Sequence, residues 1–341
     1  MLRVGVIGTG FGSSVQIPGF LAHPQTEVVA VASGTPGKAA QVAARFGIPR
    51  AYDRWQALVE DPQVDAVSIA TPPYLHAEIV RASFQAQKHV LCEKPMALDV
   101  QEAREMQRMA ATSGCVAMID HEFRFLPARA YARALVQQGE LGDPVYAEAV
   151  QVTDRWTQTK EWSWHHEATL GGGVLGALGS HLIDALRCFF GEIAASSGWK
   201  ATRIPTYLDR QSNEARLATA EDTFAISLRF CNGALGTIAV TNTSGAALEN
   251  RLLLYGRQAV LSIDDGEHLR IRRLHHPAWE PVAIPSAYRA LPEGLSDPED
   301  PRLSPFLRLV DRWVQAVAGE GPAIPSFSDG LRVQEIMESV L

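Results

Sequence analysis

A mostly apolar run that breaks at once into glycines leaves a chain few folds. Leu2 to Ile7 is such a run, and Gly8-Thr9-Gly10-Phe11-Gly12-Ser13 follows it and opens a helix that runs to about Ala22. Strand, glycine turn, helix is the start of a βαβ unit. The glycines suit a tight turn and a close approach of backbone to a pyrophosphate. The anion would rest on the free N–H groups at the helix start. Gly8, Thr9, Gly10, Phe11 and Gly12 are therefore candidate cofactor residues. Position three of the fingerprint is Ser13, small enough to pack against the strand.

Glu27 to Ala32 reads as a second strand. An NAD site usually carries Asp or Glu at the end of that strand to bond the ribose hydroxyls. Here the text is Ser33-Gly34-Thr35-Pro36-Gly37-Lys38. Ser33 and Thr35 can bond a 2′-phosphate and Lys38 can neutralise it, so the loop is read as favouring NADP over NAD. As a turn serine and a solvated lysine, the same residues would leave the choice open. A helix runs over 39–46 and Gly47 ends it. Ala66 to Ala70 is a buried strand, with Thr71 and Pro72 at its carboxyl end on the cofactor side. His76 follows in a first helical turn, either as a surface residue or as a cofactor contact.

Val90, Leu91 and Cys92 form the next buried strand, which stops at Glu93-Lys94-Pro95 because proline has no N–H for a ladder. Glu93 and Lys94 therefore sit where open α/β sheets place the ligand crevice. A helix over 100–111 and a strand over 116–119 complete an alternation that predicts a doubly wound parallel sheet. After Ile119 the pattern changes. Strand-like runs over 145–153, 223–230, 234–241, 251–255 and 259–263 follow without long helices between them, the signature of a mostly antiparallel sheet. We expect domains at 1–120 and 121–341. One prominent helix, 173–190, interrupts the strands behind Gly171-Gly172-Gly173. It carries His181 and Asp184 on one face, with Leu182, Ile183, Leu186 and Phe189 expected to face the core. Residues 275–300 read as a Pro-rich surface loop.

Composition sets outer bounds. The formal charge is −7 with no basic run, which argues against nucleic acid as a partner. No signal peptide and no apolar run of membrane-spanning length are expected. Cys92, Cys115, Cys188 and Cys231 stand far apart with no metal spacing, so we expect reduced thiols, a cytoplasmic protein and no metal.

Gly8-Thr9-Gly10, Cys92-Glu93-Lys94-Pro95 and the triple glycine with Gly179-Ser180-His181-Leu182-Ile183-Asp184 occur in this order. Together they resemble the Gfo/Idh/MocA oxidoreductases, the glucose–fructose oxidoreductase and inositol dehydrogenase group, over essentially the whole chain. The resemblance implies an N-terminal Rossmann domain and a C-terminal α/β domain with a large open, mostly antiparallel sheet that often makes the subunit interface. It thus implies a homodimer or homotetramer. It also implies hydride transfer between NAD(P) and a sugar, polyol or inositol-like alcohol. Lys94 matches the family lysine beside the nicotinamide and the reacting hydroxyl, His181 the general acid/base, and Asp184 a substrate-side carboxylate. The chemistry is coherent: histidine titrates near working pH and a lysine cation stabilises a developing alkoxide.

Two departures stand out. Many relatives carry an aspartate four positions before the histidine, and here that residue is Ala177. Glu122 stands where relatives often carry a neutral amide, so Glu122, or the adjacent His121, is expected to share the acid/base work. Trp156, Trp162 and Trp164 could stack on a sugar face or serve as core or interface aromatics, and Trp164 is carried as a substrate residue. Two rival readings remain: a dinucleotide-binding regulator that has lost catalysis, and an NAD-dependent glycoside hydrolase on a related scaffold.

Overall fold

The computed structural model describes residues 1–210, 212–276, 278–291, 300 and 302–341. They form two compact units, residues 1–122 with 291–334, and residues 123–290 with 335–341. By compactness, the described residues of 291–334, expected in the second domain, group with the first unit. Pro292 to Glu299, part of the expected surface loop, lies outside the described residues, as does Pro277.

The first unit is built on a six-stranded sheet: β1 (Leu2–Ile7), β2 (Thr26–Ala32), β3 (Arg50–Tyr52), β4 (Ala66–Ile69), β5 (His89–Cys92) and β6 (Ala117–Ile119). The order is β3-β2-β1-β4-β5-β6 and every pair is parallel, so the chain reverses direction across the sheet between β1 and β4. The helices between are α1 (Ile17–Ala22, entered through a π-turn over Gly12–Gln16), α2 (Lys38–Phe46), α3 (Trp55–Glu60), α4 (His76–Gln85) and α5 (Val100–Ser113). The strands are covered on both faces, so Val4, Val6, Val67, Ile69, Val90 and Leu91 are all buried without alternation. Each such side chain contributes about 1.5–3 kcal/mol by leaving water. Gly47, at φ +69°, ends α2. Asp99 caps α5 by accepting from the Glu102 N–H at 2.9 Å, and the Glu102 carboxylate accepts from the Leu98 N–H at 3.1 Å.

The late helix Leu303–Val317 joins this unit through aromatic packing. Phe20 on α1 meets Phe306 edge-on at 5.4 Å and Trp313 at 5.8 Å. A Cβ at residue 19 would lie 2.5 Å from the Phe306 ring, so glycine is required there.

The second unit holds an eight-stranded sheet of β7 (Pro144–Val152), β8 (Ile193–Ala201), β11 (Thr223–Phe230), β12 (Leu235–Thr241), β13 (Glu249–Gly256), β14 (Ala259–Asp264), β15 (His268–Arg273) and β16 (Glu280–Pro281). Beside it lies a small ladder of β9 (Thr206–Asp209) and β10 (Glu214–Leu217). The order of the large sheet is β16-β15-β14-β13-β7-β12-β11-β8, antiparallel except between β7 and β12. In β11, Phe224, Ile226, Leu228 and Phe230 point inward while Ala225 and Arg229 point out. The helices are α6 (Pro127–Gln137), α7 (Arg155–Gln158), α8 (Ser180–Phe190) and α9 (Ser286–Arg289).

Three sequence expectations change here. The helix expected over 173–190 is a π-turn over Leu175–Gly179 followed by α8. All of α8 except the half-buried Cys188 is buried, so His181 and Asp184 do not lie on a face opposite the core. The stretch Ala168–Phe190 is also long and apolar enough to span a bilayer by length and composition, which corrects the expectation of no such run; 83% of its apolar window is buried inside the protein.

Replacing Phe306 with alanine removes the ring that seats on Gly19 and Phe20. We expect a loss of about 3–5 kcal/mol, read by urea unfolding. A loss under about 1 kcal/mol would show that the late helix is not integral to the first unit.

Candidate active site

The turn after β1 is built by backbone approach. Gly8 has φ +113°, and a Cβ there would lie 2.2 Å from the Ala70 carbonyl oxygen at the end of β4. Gly12 is buried against Val6 and Ala70, with an added Cβ 3.1 Å from the valine methyl. Gly12 thus takes the close-packing place expected of Ser13, whose hydroxyl instead donates to the Thr9 carbonyl at 2.6 Å. Around Gly10 the space is open, with nothing within 4 Å of an added Cβ. The Thr9 and Ser33 hydroxyls are 3.1 Å apart, so the ends of β1 and β2 are joined. At the end of β4, Thr71 Oγ1 is buried without a hydrogen-bond partner among the described residues. An open glycine cradle beside an orphaned hydroxyl fits a dinucleotide phosphate.

The loop after β2 is met by a residue that sequence reasoning missed. Asp53, just past β3, accepts from the Gly37 N–H at 3.3 Å. A carboxylate therefore reaches the loop of Ser33, Thr35 and Lys38 from another strand, where the linear text showed none. The signal was present, since β3 is β2's neighbour, but β3 is too short to stand out as a strand.

His76 is not a surface residue. It is fully buried. Its Nε2 lies 2.9 Å from the Thr71 carbonyl, and its Nδ1 lies 3.1 Å from that of Pro95 and 3.3 Å from that of Met96. The ring ties the turn after β4 to the turn carrying Lys94. Burial lowers its pKa, more than the three carbonyls raise it.

Lys94 is half-buried at the end of β5. Glu93 beside it points inward and is buried, so it is a structural partner rather than an open cofactor contact. The Gln16 amide donates to Glu93 Oε1 at 3.0 Å and to Asp120 Oδ2 at 3.3 Å, and accepts from Ser68 Oγ at 2.8 Å. Glu93 Oε2 accepts the Lys94 N–H at 3.2 Å. Glu93 and Asp120 share the Gln16 amide, and Glu122 interacts with both through charge. Burial raises the pKa of all three carboxyls, and that of Glu122 is pushed up to about 8, with the Glu93 charge adding to the effect. Neighbouring buried carboxyls disfavour one another's ionisation. The group is thus a proton-sharing cluster, and no metal-holding arrangement of His, Cys, Asp and Glu exists among the described residues.

In the second unit, Phe123 stacks on His181 with centroids 4.1 Å apart and planes at 20°, and the Arg129 guanidinium lies 5.4 Å over the same phenyl ring. Asp184 is committed elsewhere than the resemblance implied. Arg124 donates to both its oxygens, Nε to Oδ2 at 2.6 Å and Nη2 to Oδ1 at 2.5 Å, and Arg187 Nη1 is 3.8 Å away. A bidentate buried pair of this kind fixes the α8 turn that carries His181. The triple glycine has a steric cause. A Cβ at Gly172 would meet the His165 and Trp164 carbonyls at 2.5 and 2.6 Å, and one at Gly173 (φ +109°) the Glu221 carboxylate at 2.1 Å. Glu221 also accepts from the Leu175 N–H at 2.9 Å.

Of the three tryptophans, Trp156 is buried edge-on to His166. Trp162 lies under the Arg216 guanidinium at 3.4 Å. Trp164 stacks on His165 at 3.8 Å and stays half-exposed, which leaves it the candidate with a face to offer.

Glu122 gives a stability prediction. Its folded pKa lies above its ordinary value of 4.5. Its contribution is therefore fully present below that ordinary value and is lost as pH rises toward about 8. Unfolding free energy should fall across this window, and Glu122→Gln should flatten the fall. An unchanged slope in the variant would show that Glu122 is ionised in the folded state.

Comparison with known proteins agrees with this architecture. Residues 2–121 match the NAD-binding Rossmann fold of the Gfo/Idh/MocA oxidoreductase family, and residues 133–341 match its C-terminal alpha/beta domain. An uncharacterised oxidoreductase of Synechocystis sp. is 35% identical over 99% of this chain and 92% of its own length. Levoglucosan dehydrogenase of Pseudarthrobacter phenanthrenivorans is 27% identical over 100% of this chain and 95% of its own. A solved levoglucosan dehydrogenase complex with NADH and L-sorbose superposes with a TM-score of 0.89 at 25% identity, covering 99% of this chain and 95% of that one. With its glycine cradle, its Glu93-Lys94 turn and both of its domains accounted for, the chain belongs to the Gfo/Idh/MocA family of NAD-binding oxidoreductases.

Proposed function

We propose that the enzyme transfers hydride between NAD(H) and a ring-bound secondary alcohol of a sugar or polyol, or the corresponding ketone. The observation that carries this reading is the cradle at Gly8 and Thr71, on the same sheet edge as Lys94. A bound nicotinamide supplies the hydride acceptor or donor. Lys94 supplies a positive charge to an oxygen that becomes alkoxide-like. His181 takes the hydroxyl proton in oxidation and returns it in reduction, and Phe123 holds its ring plane. Asp184 and Arg124 position that histidine. The levoglucosan and L-sorbose named for the structural neighbours support a cyclic polyhydroxy substrate, with Trp164 as a stacking surface.

For the cofactor, Asp53 supports NAD over NADP, because a carboxylate at that loop repels a 2′-phosphate that Lys38 alone would have to hold. The NADH named in the neighbouring complex agrees. This reverses the preference drawn from Ser33, Thr35 and Lys38. Fluorescence titration with NADH and NADPH tests it: tighter NADH is expected, and tighter NADPH would restore the earlier preference. Lys94→Ala and His181→Ala should each lower kcat for a polyol with NAD by about 10²–10⁴-fold. Full turnover in either variant would remove that residue from the chemistry. Release of nitrophenol from a nitrophenyl glycoside without net reduction of NAD would mark a hydrolase instead.

We also infer a cytoplasmic homo-oligomer formed through the large sheet of the second unit. Its outward rows over β8, β11 and β12 pair Trp199 with Ala225 and Ala239, and Ala201 with Thr223 and Thr241. Trp199 is 73% exposed on this flat, small-residue surface, which suits a second copy. Gel filtration should give a dimer or tetramer mass, and Trp199→Asp should shift it downward. A monomer mass for the unaltered protein would exclude the interface.

A further inference from the structure

The carboxyl cluster lies at the carboxyl ends of β5 and β6. In a doubly wound sheet the dinucleotide crosses the crevice at the switch point, here between β1 and β4. The turn after β1 takes the pyrophosphate, so one mononucleotide half extends over β2 and β3 and the other over β4, β5 and β6. Asp53 and Ser33 lie on the first side, where a ribose is read. Glu93, Lys94, Asp120 and Glu122 lie on the second. This placement rests on the NAD(H) reading proposed above, with the nicotinamide half on the β5–β6 side.

We propose that Glu93, Asp120 and Glu122 act together as a proton-linked discriminator of the nicotinamide's charge, losing a proton when the cationic oxidised ring binds and keeping it when the neutral reduced ring binds. The geometry is that of a proton-sharing cluster. Gln16 bridges Glu93 and Asp120, Ser68 fixes Gln16, and Glu122 follows two residues after Asp120 in the same buried group. Asp120 Oδ1 is buried with no hydrogen-bond partner among the described residues. A second negative charge in the cluster is disfavoured by burial and by the neighbouring carboxyl charges, and Lys94 offsets this in part. A cation brought beside it removes that restriction.

The other titratable neighbours do not substitute for the cluster. Cys92 is fully buried, and burial with the Glu93 and Asp120 charges pushes its thiol up. His76 is fully buried on backbone carbonyls. His121 flanks Asp120 and Glu122 and is itself buried. The step is a plain ionisation: the carboxyl O–H bond breaks, the electron pair stays on oxygen and the proton passes to buffer. Binding of the oxidised cofactor then releases protons at pH 7, and its affinity rises with pH by up to about tenfold per unit until the linked carboxyl is ionised. The reduced cofactor does neither. The ratio of the two dissociation constants would make the enzyme favour the oxidised form as pH rises.

The test is calorimetric titration of the full-length protein with NAD and with NADH, each in phosphate and in Tris at pH 7. The difference in heat between buffers counts protons. We expect release of up to one proton with NAD, none with NADH, and loss of the release in Asp120→Asn and Glu122→Gln. Binding of both forms with equal proton release, or with none, overturns the proposal while leaving the NAD(H) reading intact. Release with NAD that persists in both variants also overturns it, because the proton then comes from elsewhere. Binding of neither form overturns the NAD(H) reading and this proposal with it. The counting in the unaltered protein does not depend on either variant folding.

Discussion

Position 8 admits no side chain. The turn after β1 passes so close to the carbonyl at the end of β4 that a Cβ would overlap it at 2.2 Å. That approach sets where the two halves of the first sheet part, and so where a crevice can exist. It also aligns the carboxyl ends of β4, β5 and β6, which carry Thr71, the Glu93-Lys94 pair and Asp120. Gly12, pressed on Val6 and Ala70, holds the following helix down so that Gln16 projects into the buried cluster. A single steric constraint near the start of the chain thus reaches polar groups more than a hundred residues on.

Burying three carboxyls is costly unless their hydrogen bonds are met and their charge is limited. This chain meets the cost by sharing protons, with one amide bridging two of the acids and a lysine nearby. A cluster of this kind is poor at adding stability, since similar apolar groups would pack as well. Its presence on the ligand edge of the sheet, where no packing need requires it, is therefore an argument for chemistry. His76 shows the opposite economy. Its two ring nitrogens serve three backbone carbonyls, and it does so from full burial, holding two ligand-edge turns together.

Much of this was legible in the sequence because the governing forces act locally. The glycine turn, the fully buried strands and the stop at Pro95 each follow from a few adjacent residues. The parallel sheet followed from their alternation, and the family from the motifs together. What could not be read depends on residues distant in sequence. Asp53 reaches Gly37 across two neighbouring strands. Asp184 looks like a free carboxylate on its helix until Arg124, 60 residues away, takes both of its oxygens. Strands β8, β9 and β10 are rich in small or exposed residues and show little alternation, so pairing rather than pattern defines them. The late helix belongs to the first unit because Phe306 and Trp313 find Phe20, a match that no local period encodes.

The absence of an aspartate at Ala177 changes meaning in this light. The expected one-turn spacing between residues 177 and 181 assumed a regular α-helix, but Leu175–Gly179 is a π-turn, whose wider pitch moves residue 177 off the alignment that i and i+4 would give. The Phe123 ring stacks on the imidazole at 4.1 Å, and Asp184, the carboxylate on α8, is held by Arg124 through both of its oxygens. The acidic groups this chain does keep are gathered instead in the first unit, at the ends of β5 and β6. On the proposed roles, His181 acts from the second unit and the carboxyl cluster from the first, so substitutions in the two places should act on different parts of the pH profile.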